Sequence, residues 1–189
     1  IVVVAKDEIA FVEGMLEKAQ GLKPWRVVQG GAERQYSIAN GMAHLAADAD
    51  IVLVHDAARP LVSFAAIEAV ISAAREKGAA IAAVRAKNTI KVVGEDGRVE
   101  ATPARASLWE VQTPQGFRRE ILQRAYEKAA QDGFLGTDDA SLVERIGEAV
   151  FVVESDYGNL KITTPEDLWM AEALLAHSEK ITAEMKVTI

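Results

Sequence analysis

Short, unbroken apolar runs alternate along this chain with segments whose apolar residues recur every three or four positions. The runs are typical of strands buried on both faces of a parallel sheet, and the spaced apolar residues are typical of amphipathic helices. The alternation predicts an α/β fold, with a mostly parallel sheet and helices on both of its faces. The predicted strands are residues 1–5, 25–28, 51–54, 80–84, 107–111 and 150–154, and the predicted helices are 9–16, 33–46, 63–78, 120–130, 138–146 and 164–175.

Residues 88–113 depart from this alternation. Two β-prone stretches, 90–93 and 99–102, flank the pair Asp96-Gly97, which is the sequence signal of a tight hairpin turn. We expect this insertion to form an antiparallel β-arm that protrudes from a single domain spanning residues 1–189.

The composition suits one globular domain, since 189 residues is an ordinary domain length and half of them are hydrophobic. With 21 Lys and Arg against 28 Asp and Glu, the net charge of −7 argues against nucleic acids or acidic membrane surfaces as partners. The apolar runs fall far short of the roughly 20 residues of a membrane helix. The sequence has no cysteine, which excludes disulfides and thiolate nucleophiles. A phosphate ligand would therefore need a local cluster of basic residues.

The chain opens at Ile1 inside an apolar, β-branched run, with neither an initiator Met nor a polar lead-in. An α/β sheet normally needs its first strand and the loop that follows it. We therefore expect the domain to be incomplete at its N-terminus, with a further segment preceding Ile1.

Chemistry is expected just after each strand, since ligands of a doubly wound sheet bind beyond the carboxyl ends of the strands. Gly30 and Gly31 follow the second predicted strand, and Arg34 and Ser37 come one helical turn apart behind them. Glycines let the backbone approach a ligand, and the N-terminus of a helix offers free N–H groups to an acceptor. The same residues would also form an ordinary tight turn between a strand and a helix.

The third predicted strand is followed by Asp56 and, three residues later, by Arg59. A carboxylate at this edge is where Mg²⁺ is typically held together with substrate phosphates, and the arginine could form a forked pair with a second phosphate. The alternative is that Asp56 and Arg59 pair with each other across the turn. We expect the neighbouring His55 to be a buried, hydrogen-bonded residue rather than a base.

Lys161 lies in a short stretch predicted to be extended, 160–163, just before a helix that begins with Thr164-Pro165. A lysine that alternates with apolar residues could project its ammonium group into a cleft, although an exposed lysine on an edge strand is the commoner case. Thr137 is expected to cap the helix at 138–146.

Six motifs occur along the chain in the order that one enzyme family shows. They are GGAERQYS at 30–37, VLVHDAARPLV at 52–62, NTIK at 88–91, QTPQGF at 112–117, TDDASLVE at 137–144 and NLKITTPEDL at 159–168. On these motifs, the chain resembles the 2-C-methyl-D-erythritol 4-phosphate cytidylyltransferases of the non-mevalonate isoprenoid pathway. The likeness covers nearly all of the chain.

The resemblance implies a Rossmann-like nucleotidyltransferase fold that joins CTP to 2-C-methyl-D-erythritol 4-phosphate and releases pyrophosphate, with Mg²⁺ or another divalent cation. It implies that Gly31, Ala32 and Ser37 read the cytosine. Asp56 and Ala57 would hold the ribose, the metal and the substrate. The remaining contacts, around the acceptor and the reacting phosphate, would come from Arg59, Arg105, Thr113, Thr137 and Lys161.

The resemblance also implies a homodimer in which the β-arm, residues 88–113, is exchanged between subunits. Arg105 would then reach the acceptor phosphate in the site of the other subunit. Lys161 would stabilise the charge that develops on the α-phosphate, and Lys161, Asp56 and Arg105 are the expected catalytic residues. We expect a cytoplasmic enzyme of bacteria, or a plastid enzyme if a transit peptide precedes Ile1.

The sequence departs from the family's pattern at two places. Ala32 stands where some members have Asp, so only the backbone could contact the base there. The family's first strand, its glycine-rich triphosphate loop and the lysine of that loop have no counterpart in residues 1–189, and a polypeptide that ended at Ile1 should be nearly inactive.

Two other functions stay open at this point. One is transfer to another polyol phosphate, such as ribitol 5-phosphate, although Ala58 favours the erythritol phosphate because pentitol-phosphate enzymes usually carry Val there. The other is a non-catalytic module that binds a nucleotide or dimerises.

Overall fold

The computed structural model describes the backbone of residues 1–187 and the side chains of residues 1–177. Its strands are β1 (Val2–Val4), β2 (Val27–Gln29), β3 (Ile51–Val54), β4 (Ala79–Arg85), β5 (Val92–Val93), β6 (Val99–Ala101), β7 (Trp109–Arg118) and β8 (Phe151–Glu154). Its α-helices are α1 (Ile9–Lys18), α2 (Arg34–Met42), α3 (Phe64–Lys77), α4 (Arg119–Asp132), α5 (Asp139–Arg145) and α6 (Pro165–Val187). The predicted α/β fold is confirmed.

Four strands form the central sheet, in the order β3-β7-β4-β8. β7 runs antiparallel to both of its neighbours and β4 runs parallel to β8, so β3, β4 and β8 all point the same way. β1 and β2 pair in parallel as a separate two-stranded ladder. The carboxyl ends of β3, β4 and β8 therefore lie along one edge of the central sheet, which we call the rim, beside the first half of β7.

β7 extends beyond the strand predicted at 107–111. Its second half carries polar residues, so the apolar pattern did not indicate a strand there. Gln112 and Gln115 are buried despite their polarity. The Gln115 side chain donates to the carboxylate of Asp138 at 2.8 Å and accepts from the backbone N–H of Ala140 at 3.1 Å. Buried polar groups whose hydrogen bonds are satisfied cost little, so polar residues can occupy a central strand.

Apolar helices cover both faces of the central sheet. On one face, α3 packs the fully buried Val70 and Ala74 against Gly116 of β7. On the other face, Phe117 belongs to one buried cluster with Leu122 of α4 and Leu142 of α5. Full burial of a large apolar side chain is worth about 1.5–3 kcal/mol, so these two layers hold the sheet, and the residues at its rim, in place.

A cavity of about 590 Å³ lies between β1 and β3. Apolar side chains of both strands line it, together with Ile38 and Met42 of α2. The same cavity is lined by Asp56 and Lys161, so it connects the interior between the two ladders with the rim.

The β-arm contains the predicted hairpin. β5 and β6 pair antiparallel, with Val92 opposite Ala101. Gly97 in the turn has a φ of +80°, a backbone region that glycine adopts without strain. Val92, Val93 and Val99 are exposed, so the arm of this single chain presents apolar side chains to solvent.

The prediction that Thr137 caps α5 is wrong. α5 begins at Asp139, and Asp138 is the cap residue, with its carboxylate accepting the backbone N–H of Ser141 at 2.9 Å. An aspartate is at least as good a cap as a threonine, and here it is one residue closer to the helix. Thr137 lies exposed in the preceding loop.

Replacing Gly116 by Ala should destabilise the protein by about 1–3 kcal/mol, because the added methyl group overpacks the layer between α3 and the sheet. A Cβ at this position would lie 2.7 Å from a Val70 methyl carbon and 2.9 Å from one of Leu53. The matched control is Gly14→Ala in α1, where a Cβ meets nothing within 4 Å. That change should stabilise the protein by up to about 1 kcal/mol through helix propensity. Urea unfolding measures both changes, and equal effects would contradict the packing described.

Candidate functional site

Asp56 follows β3 directly, and its carboxylate lies between two cationic side chains. Lys161 Nζ is 2.9 Å from Oδ2, and Arg34 Nη2 is 3.7 Å from Oδ1. The three residues come from the loop after β3, the loop before α6 and the first turn of α2. Segments that are distant in sequence therefore meet at the rim, and two of the predicted site residues, Asp56 and Lys161, are in direct contact.

The Asp56 carboxylate is largely buried, with 18% of its side chain exposed. Burial alone would raise its pKa, but the hydrogen bond and charge of Lys161, followed by the charges of Arg34 and Arg59, bring the pKa below its ordinary value. Asp56 is therefore ionised at neutral pH and can serve as a negatively charged ligand.

Arg59 does not form the ion pair with Asp56 that the sequence left open. Its Nη1 donates instead to the backbone carbonyl of Asn159 at 2.7 Å. Burial lowers the pKa of Arg59, and the charge of Asp56 offsets only part of that effect. The buried Nε of Arg59 has no hydrogen-bond partner among the described residues, so the guanidinium keeps an unused donor close to the rim.

Residues 160–163 belong to none of the described strands, so Lys161 lies in a loop and not on an edge strand. The backbone N–H of Ile162 donates to the carbonyl of Ala58 at 2.8 Å. This bond ties the loop to the segment that follows β3 and brings the lysine next to Asp56 without any strand pairing.

Asn159 fixes the base of the same loop. It is fully buried, and its Nδ2 donates both to Gln112 Oε1 and to the carbonyl of Thr113, each at 2.9 Å. Its backbone N–H donates to the carboxylate of Asp156 at 3.1 Å. Buried hydrogen bonds thus attach the loop that carries Lys161 to β7. They fix the backbone of this loop close to the rim.

His55 and Thr113 fix the backbone at Asp56. His55 Nε2 lies 3.0 Å from the carbonyl oxygen of Arg59, so this nitrogen must carry the proton and donate. Nδ1 is then the acceptor for the Thr113 hydroxyl at 3.1 Å, and the same hydroxyl oxygen accepts the backbone N–H of Asp56 at 3.0 Å. His55 is hydrogen-bonded as expected, but its side chain is exposed rather than buried because it lies at the rim.

The residues predicted to read the base line a second cavity of about 750 Å³. Gly31, Ala32, Ser37 and Ala57 all lie on its wall, and Ser37 and Ala57 also line the cavity that contains Asp56. The Ser37 hydroxyl accepts the Gly31 N–H at 3.0 Å and donates to the Glu33 carbonyl at 3.1 Å. A side chain at Gly31 would clash with Tyr36, so only glycine fits this turn. The volume is within the range of small-molecule sites.

Four predicted site residues line neither cavity: Arg59, Thr113, Thr137 and Arg105. Thr137 is exposed in the loop before α5, and Arg105 is exposed in the β-arm, where its Nη1 donates to the carbonyl of Lys87 at 3.1 Å. Within one chain, therefore, the structure does not bring Arg105 to Asp56.

The residues beneath Arg34 were not among the predicted site residues. Arg34 Nη2 donates to Asp139 Oδ2 at 2.7 Å, and the Tyr126 hydroxyl donates to the other oxygen of Asp139. Asp139 is fully buried. A possible signal was the pair Asp138-Asp139, since a helix cap needs only one carboxylate and the second is then free for another contact.

One carboxylate, that of Asp56, lines the cavity shared with Arg34 and Lys161. Across the described residues, no cluster of three or more His, Asp or Glu side chains would enclose a metal ion by itself. Mg²⁺ commonly binds through one or two carboxylates and completes its shell with water and substrate phosphates. Asp56 fits a divalent site of that kind, in which the substrate supplies further ligands.

Known proteins are similar to this chain along most of its length. The family model described as 2-C-methyl-D-erythritol 4-phosphate cytidylyltransferase matches residues 1–177. A curated protein of that name from Caldanaerobacter subterraneus is 49% identical over 176 residues, which are 93% of this chain and 78% of the relative. The protein of the same name from Geobacillus kaustophilus is 50% identical over 177 residues, 93% of this chain and 76% of the relative.

Solved structures share the fold. The crystal structure of 4-diphosphocytidyl-2C-methyl-D-erythritol synthase from Anaerococcus prevotii superposes with a TM-score of 0.85 and 36% identity, covering 92% of this chain and 80% of that one. The structure of 2-C-methyl-D-erythritol 4-phosphate cytidylyltransferase from Thermus thermophilus has a TM-score of 0.72 at 36% identity, covering 82% and 78%. The expected Rossmann-like nucleotidyltransferase fold is confirmed. No helix within residues 1–187 has the length and hydropathy of a bilayer span.

Replacing Lys161 by Met should raise the pKa of Asp56, because the hydrogen bond and charge of Lys161 are the strongest of the effects that lower it. Carboxyl ¹³C chemical shifts followed against pH measure this change. The matched control is Lys128→Met, which removes a surface lysine 2.8 Å from Asp132 and should raise the pKa of Asp132 while leaving Asp56 unchanged.

The sign of the stability effect follows from the same shift. A carboxyl whose folded pKa is lowered stabilises the fold above its unfolded pKa, and this contribution disappears as the pH falls through the folded pKa. The difference in unfolding free energy between the wild type and Lys161→Met should therefore shrink on acidification. A difference that stayed constant with pH would contradict the pairing of Lys161 with Asp56.

Proposed function

This chain belongs to the 2-C-methyl-D-erythritol 4-phosphate cytidylyltransferase family, and from that premise we propose how its site works. The reaction transfers a cytidylyl group from CTP to 2-C-methyl-D-erythritol 4-phosphate, giving 4-diphosphocytidyl-2-C-methyl-D-erythritol and pyrophosphate. The product is an intermediate of isoprenoid precursor biosynthesis.

The observation that carries the mechanism is the cluster around Asp56. Lys161, Arg34 and Arg59 surround an ionised carboxylate that lines one of two adjacent cavities, on a chain whose net charge is −7. Both reactants are anions, so the site must offset their mutual repulsion, and a local group of cations is the means available.

We propose that the cytosine occupies the cavity lined by Gly31, Ala32 and Ser37. Ala32 has no polar side chain, so recognition of the base there falls to backbone N–H and C=O groups. The ribose and the phosphates would then extend past Ala57, which lines both cavities, and the α-phosphate would come close to Asp56.

The transfer is a substitution at phosphorus. A phosphate oxygen of the acceptor forms a bond to the α-phosphorus of CTP, the bond from that phosphorus to the bridging oxygen breaks, and pyrophosphate leaves with the electron pair. The acceptor phosphate is already ionised at neutral pH, so no general base is needed, in agreement with the structural role of His55. Catalysis rests on positioning and on stabilisation of charge.

Lys161 is the residue we assign to the charge that develops on the α-phosphate. In the free site its ammonium group is engaged with Asp56 at 2.9 Å, which keeps it extended toward the cavity. On the resemblance to the family we also assign Arg59, Thr113 and Thr137 to the acceptor, although none of the three lines either cavity of the described chain.

Asp56 would hold Mg²⁺ or another divalent cation. The cation, when bound, neutralises phosphate charge and orients the triphosphate. Asp56 is suited to this role because its carboxylate is ionised and fixed from the backbone by Thr113.

We propose a homodimer formed through the β-arm, with Arg105 of one subunit acting in the site of the other. Two facts support this: the arm exposes Val92, Val93 and Val99, and Arg105 lies outside both cavities of its own chain. Exposed apolar groups on a protruding hairpin favour association. The relatives cited come from bacteria and the substrates are small and polar, so we place the reaction in the cytoplasm.

In the complete enzyme, turnover with CTP and 2-C-methyl-D-erythritol 4-phosphate should be much faster than with ribitol 5-phosphate, and chelation of divalent cations should abolish it. Lys161→Met should lower kcat on the order of 100- to 1000-fold, since a unit charge pair at about 4 Å is worth roughly 4 kcal/mol at an effective dielectric of about 20. Lys128→Met is the matched control and should retain wild-type kcat. Release of pyrophosphate measures all of these rates, and a Lys161→Met enzyme with full activity would refute the assigned role.

The dimer predicts complementation between two inactive variants. A heterodimer of Arg105→Ala and Lys161→Met chains contains one intact site, so an equal mixture should recover up to about a quarter of wild-type activity, given random pairing of subunits. Native mass spectrometry verifies that the heterodimer has formed. Verified heterodimers without activity would mean that Arg105 acts within its own chain, and an Arg105→Ala enzyme with full activity would mean that Arg105 has no role.

A further inference from the structure

Five side chains form a continuous series from the protein interior to the rim. They are Tyr126, Asp139, Arg34, Asp56 and Lys161, and we call them the charge series. Their contacts are the Tyr126 hydroxyl on Asp139, Arg34 to Asp139 at 2.7 Å, Arg34 to Asp56 at 3.7 Å, and Lys161 to Asp56 at 2.9 Å. Tyr126 and Asp139 have no role in the mechanism given above, and Arg34 enters it only as one of the cations around Asp56.

Asp139 is the fixed member of the series. Its side chain is fully buried at the start of α5. The backbone beside it is anchored to β7, because Gln115 accepts the N–H of Ala140 at 3.1 Å and donates to Asp138 at 2.8 Å. A carboxylate held in this way can serve as a rigid support for a longer and more flexible partner.

Arg34 is the member that needs a support. Its side chain is 40% exposed and it belongs to the first turn of α2, so nothing but its partners fixes the guanidinium. Burial would lower the pKa of Arg34, but the charge and hydrogen bond of Asp139 raise it above its ordinary value. Arg34 is therefore bound mainly to Asp139, and its contact with Asp56 is the longer and weaker one.

The two distances have a consequence for Asp56. A charged guanidinium and a carboxylate that are free to approach settle at about 2.7–2.9 Å. The Nη2 atom of Arg34 is 2.7 Å from Asp139 but 3.7 Å from Asp56. The Oδ1 atom of Asp56 thus has a cation nearby without a close hydrogen bond from it.

We propose that Asp139, supported by Tyr126, is a positioning residue that holds Arg34 away from Asp56 and so keeps Asp56 Oδ1 open for the reacting complex. Without the Asp139 carboxylate, Arg34 would close onto Asp56 as a full ion pair. Asp56 would then be engaged on both oxygens, by Arg34 and by Lys161. This inference rests on the proposed function of Asp56 but assigns a role to residues that lie beneath the site.

The competing view is that Asp139 only stabilises the fold, as the partner of a half-buried arginine. A double-mutant cycle separates the two, because residues that act through one another show non-additive effects. If Asp139 acts through Arg34, its replacement should have little effect once Arg34 is gone. If it only stabilises the fold, Asp139→Asn should lower the free energy of unfolding and leave kcat of the folded enzyme unchanged.

The cycle consists of Asp139→Asn, Arg34→Met and the double variant, measured in the complete enzyme. Asp139→Asn is expected to lower kcat about 10- to 100-fold, the usual effect of losing a partner that orients a site residue. The KM for CTP should stay within about threefold, since the cavity of Gly31 and Ser37 is intact. In the Arg34→Met background the same substitution should change kcat less than about threefold. Multiplying losses, or a loss confined to KM, would overturn the proposal.

Two further variants address folding. Tyr126→Phe leaves the Asp139 carboxylate in place and removes one hydrogen bond from it, so it should give a smaller loss of kcat of the same kind even if Asp139→Asn folds poorly. The matched control is Asp132→Asn, which breaks an exposed pair with Arg145 at 3.0 Å and should leave kcat unchanged. A Tyr126→Phe enzyme with wild-type kcat would count against the proposal.

A readout that does not depend on turnover keeps this inference distinct from the proposed function. In a crystal structure of Asp139→Asn, the distance from Arg34 to Asp56 should shorten from 3.7 Å to a hydrogen bond of about 2.8 Å. An unchanged distance would refute the inference even in a fully active enzyme. Conversely, a wild-type enzyme that transfers no cytidylyl group would refute the proposed function. The shortening of the distance from Arg34 to Asp56 could still be tested in that case.

Discussion

An ionised carboxylate that is largely withdrawn from water must have cations near it, and this constraint organises the rim. Asp56 exposes 18% of its side chain, and its charge is stabilised by Lys161, Arg34 and Arg59. An uncompensated buried charge would instead be neutralised through its pKa. The loop after β3, the first turn of α2 and the loop before α6 are therefore bound to a common point, although they are far apart in the sequence.

The same constraint explains why polar residues occupy the middle of the sheet. Gln112 and Gln115 of β7 are buried, but one is bonded to Asn159 and the other to the start of α5. These bonds extend from the central strand to the loops that carry Lys161 and Asp139. β7 is therefore the strand that fixes both loops. Its buried glutamines are polar because they form these hydrogen bonds.

Apolar periodicity predicted most strands and helices, because burial of those residues is decided locally by their own side chains. It failed where a partner distant in sequence decides the outcome. The second half of β7 is polar and yet buried, and the segment around Lys161 is fixed by a bond to Ala58 instead of by a neighbouring strand. The motifs located Asp56 and Lys161, whereas Asp139 was indistinguishable from an ordinary cap residue until its contacts with Arg34 and Tyr126 were known.

The net charge of the site can be compared with the charge of the proposed reactants. Arg34, Arg59 and Lys161 face the carboxylates of Asp56 and Asp139, which leaves one net positive charge in a protein of net charge −7. A triphosphate and a sugar-alcohol phosphate bring several negative charges to this point. One surplus cation cannot neutralise them, so further positive charge is needed, and the proposed divalent cation and the proposed Arg105 of a second subunit would each supply part of it. The proposed restraint on Arg34 matters here because it would leave an oxygen of Asp56 available to the reacting complex.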